Sequence, residues 1–188
     1  YGKEKSTSYC ENGGFFMEMT ILQWINENMR NGILDQVMIF ISRIGDAGFI
    51  WTVFAVLLLL VPKCRKIGIA VFAGLFLSSL LCDDILKPLI ARPRPEFTEY
   101  LIHLPKSFSF PSGHTMSSFT AAAIIAGGGR PAKYIVYLLA FLIGFSRLYL
   151  CVHYPSDVLC GAVFGILLGK CLLSCVKDTQ LASVRRRT

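Results

Sequence analysis

Five apolar runs dominate the chain and leave few folds open to it. They cover about residues 47–61, 67–86, 114–127, 132–150 and 158–176. Pro62 with Lys63, Arg65 and Lys66 closes the first, and the Gly127-Gly128-Gly129 run closes the third. A water-soluble domain of this length needs a polar skin, with about a quarter of its residues charged. Here only 16% of the 188 residues are charged and 54% are apolar. That balance excludes a soluble globule, a disordered chain, a collagen and a coiled coil. It leaves a small integral membrane protein whose runs cross the bilayer as helices, the shorter ones with tilt or local thinning.

Residues 1–16 are polar and contain glycine, and they read as a tail outside the fold. Two amphipathic sets follow over residues 17–45. Ile21, Leu22, Trp24, Ile25 and Met29 form the first, and Ile33, Leu34, Val37, Met38, Phe40, Ile41 and Ile44 form the second. Each falls short of the about 20 residues that a crossing needs, so both read as helices lying in the interface. The alternative is a sixth, poorly marked span. The expected architecture is an all-α integral membrane protein, a helical bundle of five to six transmembrane spans with an N-terminal amphipathic helix. Its membrane domain covers residues 46–177 and a basic cytoplasmic tail covers 178–188. The seven cysteines include no CxxC pair and read as small core- or lipid-facing residues.

The net charge of +7 falls in short blocks between apolar runs, which favours a topology signal over a nucleic-acid partner. Alternation of five spans puts residues 87–113 and 151–157 on one face. The other face carries Lys63, Arg65, Lys66, Arg130, Lys133, Lys177, Arg185, Arg186 and Arg187, against Lys87, Arg92, Arg94, Lys106 and Arg147 on the first. The richer side is cytoplasmic by the positive-inside rule, so the first face points outward; Lys3, Lys5, Arg30 and Arg43 would make the two faces equal if the N-terminal stretch lies on that first face.

That outward face gathers nearly all the unusual polar residues: K-P-L-I-A-R-P-R-P (Lys87 to Pro95), P-S-G-H (Pro111 to His114) and S-R-L-Y-L-C-V-H-Y-P-S-D (Ser146 to Asp157). Arg147 and His153 lie at the end of an apolar run, where an ionisable group is costly and points to a site. Lys87, Arg94 and Arg147 together would repel one another, which implies an anion between them. Phosphate fits, because guanidinium forks and a lysine point charge match its oxygens. Ser112 and Gly113 open a helix whose free N–H groups suit an anion. Asp157, four residues after His153, can hold that imidazole in one tautomer. Two Arg-Pro pairs compete at the first segment, and spacing from Lys87 selects Arg94 over Arg92. Asp83 and Asp84 read as residues of the membrane boundary rather than metal ligands.

The three segments, K-x6-R-P, P-S-G-H and S-R-x5-H-x3-D, resemble in order and spacing the motifs of the type 2 phosphatidic acid phosphatase superfamily, and the chain is similar to its small bacterial members. The resemblance implies a membrane phosphohydrolase with no metal and no cofactor, acting on a lipid phosphate in the bilayer. In that scheme His153 is the nucleophile and forms a phosphohistidine, while Asp157 orients it. His114 protonates the leaving oxygen and then activates water, and Lys87, Arg94, Ser112, Gly113 and Arg147 hold the phosphoryl oxygens. The two histidines would then differ in protonation and give a bell-shaped pH profile. The expected substrate is undecaprenyl diphosphate. The alternatives are phosphatidylglycerophosphate, phosphatidate, phosphoryl transfer to an acceptor other than water, or a binding or transport module without catalysis.

Overall fold

The computed structural model describes residues 13–128 and 133–185, and among these every regular element is helical. Helix α1 is Gly13–Asn28 and α2 is Gly32–Ile44, started by Asn31, whose side chain accepts the Leu34 N–H. A short turn, Asp46–Gly48, leads into α3, Phe49–Leu60. Ala47 and Gly48 both have positive φ there (50° and 68°), and the chain bends by 51° between α2 and α3. Helix α4, Arg65–Ser79, widens into a π-helical stretch at Leu80–Leu86 and ends in α5, Lys87–Ile90. Helices α6, Gly113–Gly127, α7, Lys133–Tyr149, and α8, Pro155–Arg185, complete the bundle.

Each of the five apolar runs thus becomes a helix, although not each is a full crossing by its own length. Among the described residues two rods are long and apolar enough, Pro62–Ile90 and Pro155–Val176. A third arises if α2 and the segment Asp46–Leu60 form one bent span. That pairing joins the second of the two segments read as interfacial helices to the first apolar run. Two boundaries also differ from the sequence reading. Helix α1 begins at Gly13, inside the stretch read as a tail, because Phe15 packs on Tyr154 with ring centroids 5.4 Å apart. Helix α8 continues through residue 185, across most of the segment read as a tail. Residues 1–12 and 186–188 of those two segments lie outside the described residues.

Helix α6 is the axis of the bundle, packed against α4, α7 and α8. Its run Ala121-Ala122-Ala123 is buried along with Ile124 and Ile125, and it carries hydroxyls that bond across helices. Ser118 Oγ accepts the Trp51 indole N–H at 2.9 Å, and Thr120 Oγ1 lies 2.9 Å from Ser78 Oγ. The outward faces carry Phe72 and Phe76 on α4, Ile135, Leu138 and Phe141 on α7, and Leu159, Val163 and Leu167 on α8. Such a belt of exposed apolar side chains suits lipid and would be costly in water.

A stripe of small residues sets the spacing between α6 and α8. A Cβ added at Gly161, Gly165 or Gly169 would meet the carbonyl oxygen of Ser112, Met116 or Thr120 at 2.8, 2.4 or 2.7 Å. Backbone touches backbone at all three positions, as in the small-xxx-small packing of membrane helices. Gly165→Ala therefore forces the helices apart at an expected cost of about 1–3 kcal/mol. Thermal melting in detergent should show a lowered transition. Gly32→Ala, with nothing within 4 Å of the new methyl, should melt at or above the parent temperature.

Candidate active site

The chain reversal after α7 turns on Cys151, whose φ of 54° is left-handed backbone that costs a non-glycine residue on the order of 1 kcal/mol. The turn carries His153 inward to 2% exposure, and Asp157 follows in the first turn of α8 at 0%. His153 Nε2 lies 3.2 Å from Arg94 Nη1, while Nδ1 lies 3.4 Å from Ser109 Oγ and 3.5 Å from Asp157 Oδ2. A guanidinium can only donate, so Nε2 accepts and the ring proton belongs on Nδ1, a tautomer assigned from its neighbours. Burial pushes the His153 imidazole down to about 3; the Arg147 and Arg94 charges add to this and Asp157 opposes it. His153 is thus neutral at pH 7, with its Nε2 lone pair directed at Arg94 on the cleft side.

Asp157 is held from several directions. Its Oδ2 accepts the Tyr154 N–H at 2.9 Å and a short bond from Ser109 Oγ, and its Oδ1 accepts Arg92 Nη1 at 2.6 Å. Arg94 is equally saturated. Nε donates to Ser107 O at 2.8 Å, Nη1 to Val152 O at 2.8 Å as well as His153, and Nη2 to Ser107 Oγ and Phe108 O at 3.2 Å each. Lys87 Nζ pairs with Asp83 Oδ1 at 2.6 Å and reaches Ser107 Oγ at 3.4 Å. The pair is spaced i, i+4 across the widened π turns, so Asp83 has a definite partner beyond its place at the boundary.

A cleft of about 340 Å³ is lined by Lys87, Arg94, Gly113, His114, Arg147 and His153, with Asp83, Ser107 and Ser117 beside them. The structure thus brings six of the eight expected site residues to one cavity. Asp157 stands behind His153. Ser112 is fully buried and caps α6, its Oγ accepting from Thr115 Oγ1 at 2.9 Å, and it does not line the cleft. A Cβ on Gly113 would come within 4.0 Å of Lys87 Nζ, so glycine keeps the mouth of α6 open beside that cation. His114 Nε2 bonds Asp46 Oδ1 at 2.7 Å across from the bend between α2 and α3. Arg147 Nη1 donates a short bond to Ser42 Oγ of α2. Among the described residues, Arg147 Nε is the buried side-chain nitrogen or oxygen without a partner.

A second cleft of about 500 Å³ shares His114 and Arg147 with the first and adds Arg43, Tyr100 and His103. The connection between α5 and α6 thus supplies side chains to both cavities. Sequence reasoning missed Asp46, Ser107, Ser109 and Glu18, which are single residues without a motif. Arg92, ranked below Arg94, lies behind the cleft on Asp157, and Arg94 faces His153 as the spacing from Lys87 implied.

The arrangement places an imidazole with its Nε2 on the cleft side, a carboxylate behind it, a second histidine and three cations around one cavity. The family model of the PAP2 superfamily matches residues 66–180, a span that contains all three motifs. The chain belongs to the PAP2 superfamily. Among PAP2 relatives, the undecaprenyl-diphosphatase of Sulfolobus acidocaldarius is 32% identical over 160 residues, covering 82% of this chain and 75% of that protein. Phosphatidylglycerophosphatase B of Bacillus subtilis is 33% identical over 152 residues, 74% of each chain. The crystal structure of a transmembrane PAP2 type phosphatidylglycerolphosphate phosphatase from Bacillus subtilis superposes with a TM-score of 0.77 at 27% identity, covering 89% of this chain and 88% of that one. The fold is that of PAP2 membrane phosphatases, and its homologues act on membrane lipids.

Proposed function

We propose that this PAP2 protein is a metal-independent lipid phosphatase that removes a terminal phosphate through a phosphohistidine on His153. The observation that carries the reading is the orientation of His153. Its protonated Nδ1 faces Asp157 and its Nε2 lone pair faces the cation-lined cleft. In the first step the Nε2 lone pair attacks phosphorus, the bond to the leaving oxygen breaks, and His114 gives that oxygen a proton. Asp157 stabilises the positive imidazole formed by the new P–N bond. Arg94 Nη1 transfers its hydrogen bond from Nε2 to a phosphoryl oxygen, and Lys87, Arg147 and the backbone at Gly113 hold the others. In the second step His114 takes a proton from water, the water oxygen bonds to phosphorus, and the P–N bond breaks. Most of the catalysis is then positioning and electrostatics, as is general for phosphoryl transfer.

The preferred substrate is a polyprenyl diphosphate, undecaprenyl diphosphate above all, in keeping with the Sulfolobus relative and with the second cleft, where Arg43 and His103 adjoin His114. The Bacillus relatives support phosphatidylglycerophosphate as the second reading. In the proposed topology α3, the Pro62–Ile90 rod, α6, α7 and α8 cross the membrane, α1 lies in the interface, and the cleft opens on the extracytoplasmic side. The lipid-facing belt and the cation-rich opposite face support this placement.

The test is phosphate release from undecaprenyl diphosphate and from phosphatidylglycerophosphate in detergent with EDTA and no added acceptor. Inorganic phosphate should appear in both, with kcat/KM at least about 10-fold higher for the diphosphate, a difference of about 1.4 kcal/mol. Loss of activity on adding EDTA would remove metal independence, and release only with an added acceptor would make the protein a phosphotransferase.

A further inference from the structure

Helix α1 reaches the buried side of the site through one carboxylate. Glu18 Oε2 accepts Arg92 Nη2 at 2.5 Å, and Glu18 Oε1 accepts the backbone N–H of Ser156 at 2.8 Å. The other end of the same guanidinium, Nη1, donates to Asp157 Oδ1 and Ser156 Oγ at 2.6 Å each. Its carbon sits 4.0 Å from the centroid of the Tyr154 ring, which also packs on Phe15 of α1. Glu18 and Arg92 are only 17% and 20% exposed, and Asp157 is fully buried. Charges alternate along the chain Glu18, Arg92, Asp157, and its end is His153 Nδ1.

Two consequences follow from this geometry. A free N–H at a helix N-terminus is satisfied best by an anionic acceptor, so Glu18 anchors the turn of α8 that carries Asp157. Arg92 is a long side chain whose fork is fixed only when both ends are occupied. With Glu18 on one end, the other end is held on Asp157 Oδ1, which leaves Oδ2 turned to His153, Ser109 and the Tyr154 N–H. Without Glu18, Arg92 has rotamers that leave Asp157, and the carboxylate can turn away from the imidazole.

We propose that Glu18 is a positioning residue for the His153–Asp157 pair, acting through Arg92, so that the N-terminal helix is part of the catalytic apparatus. The proposal rests on the reading in which His153 is the nucleophile and Asp157 its orienting group. Glu18→Ala, assayed on a polyprenyl diphosphate in detergent, is expected to lower kcat by about 10- to 100-fold with KM changed less than about twofold, the usual scale for residues that orient a reacting group. Glu18→Gln should fall between it and the parent, because its amide oxygen still accepts from Ser156 while the ion pair is lost. In an Asp157→Asn background, followed by single turnover, the further change to Glu18→Ala should cost less than about twofold, since the residue through which Glu18 acts is already altered.

Equal losses from Glu18→Ala in both backgrounds overturn the proposal, as do an unchanged kcat or a loss confined to KM. Melting in detergent guards against a folding defect, and if the alanine variant does not fold, Glu18→Gln carries the same cycle. Full activity of His153→Ala would instead remove the reading on which the proposal rests. An additive cycle alongside an inactive His153→Ala removes the role of Glu18 alone.

Discussion

His153→Ala is expected to lower phosphate release from a polyprenyl diphosphate by at least about 10⁴-fold, the scale seen when a covalent nucleophile is removed. The loss should lie in kcat, because the cations that line the cleft remain. Arg94 keeps Val152 O, Ser107 and Phe108 O, and Asp157 keeps Arg92, Ser109 and the Tyr154 N–H, so neither charge is left buried and alone. The variant should therefore melt close to the parent while failing to turn over. Alkaline quenching of the parent during turnover should retain an acid-labile phosphoryl group on the peptide containing His153, and the variant should retain none. A parent enzyme without such a group, or a variant with undiminished turnover, would sink the covalent mechanism.

The residues of the three motifs were legible because each occupies a place where its type is hard to explain otherwise. Arg147 and His153 interrupt apolar sequence, and Gly113 opens a helix two residues after Pro111. Their convergence on one cleft needed no detail of packing beyond helices that alternate across a bilayer. The supporting residues were illegible for the opposite reason. Glu18, Asp46, Asp83 and Ser109 are ordinary polar residues in sequence, and they acquire meaning only from partners 48 to 74 residues away or across a widened helical turn. Glu18 Oε2, for instance, meets Arg92 across 74 residues. The same limit explains α1. Only its first residues, 13–16, read as a tail, and what orders that end is Phe15 on Tyr154 and Glu18 on Arg92, both tertiary contacts. Ser112 shows a different ambiguity: one hydroxyl before a helix serves an anion or a cap equally well by sequence, and here it caps, accepting the Thr115 N–H. The glycines at 161, 165 and 169 lie in a run that hydropathy assigns to a span, and their role in seating α8 on α6 emerges only from the backbone contacts of the fold.

Arg147 separates catalysis from stability more sharply than any other residue of the cleft. It closes α7 at 2% exposure, tied by Nη1 to Ser42 Oγ, with Nε unpartnered among the described residues. A buried donor without an acceptor costs about 1–3 kcal/mol, and more for a charged group. That cost is removed when an anion enters and accepts from it, so the guanidinium is stabilised by the ligand rather than by the protein. Arg147→Lys keeps one positive charge but cannot donate to Ser42 and to a phosphoryl oxygen with a planar fork. Its kcat/KM should fall by about 10²–10³-fold, the loss of one charge-stabilising donor in a dry site. Arg147→Met, of similar volume and with no buried charge, should be inactive yet melt at or above the parent temperature, because removing an incompletely paired buried charge is often neutral or stabilising. Inorganic phosphate should raise the melting temperature of the parent and leave that of Arg147→Met unchanged, which assigns the orphaned nitrogen to the ligand. A methionine variant that loses activity and melting temperature together would make Arg147 a structural tie between α7 and α2 instead.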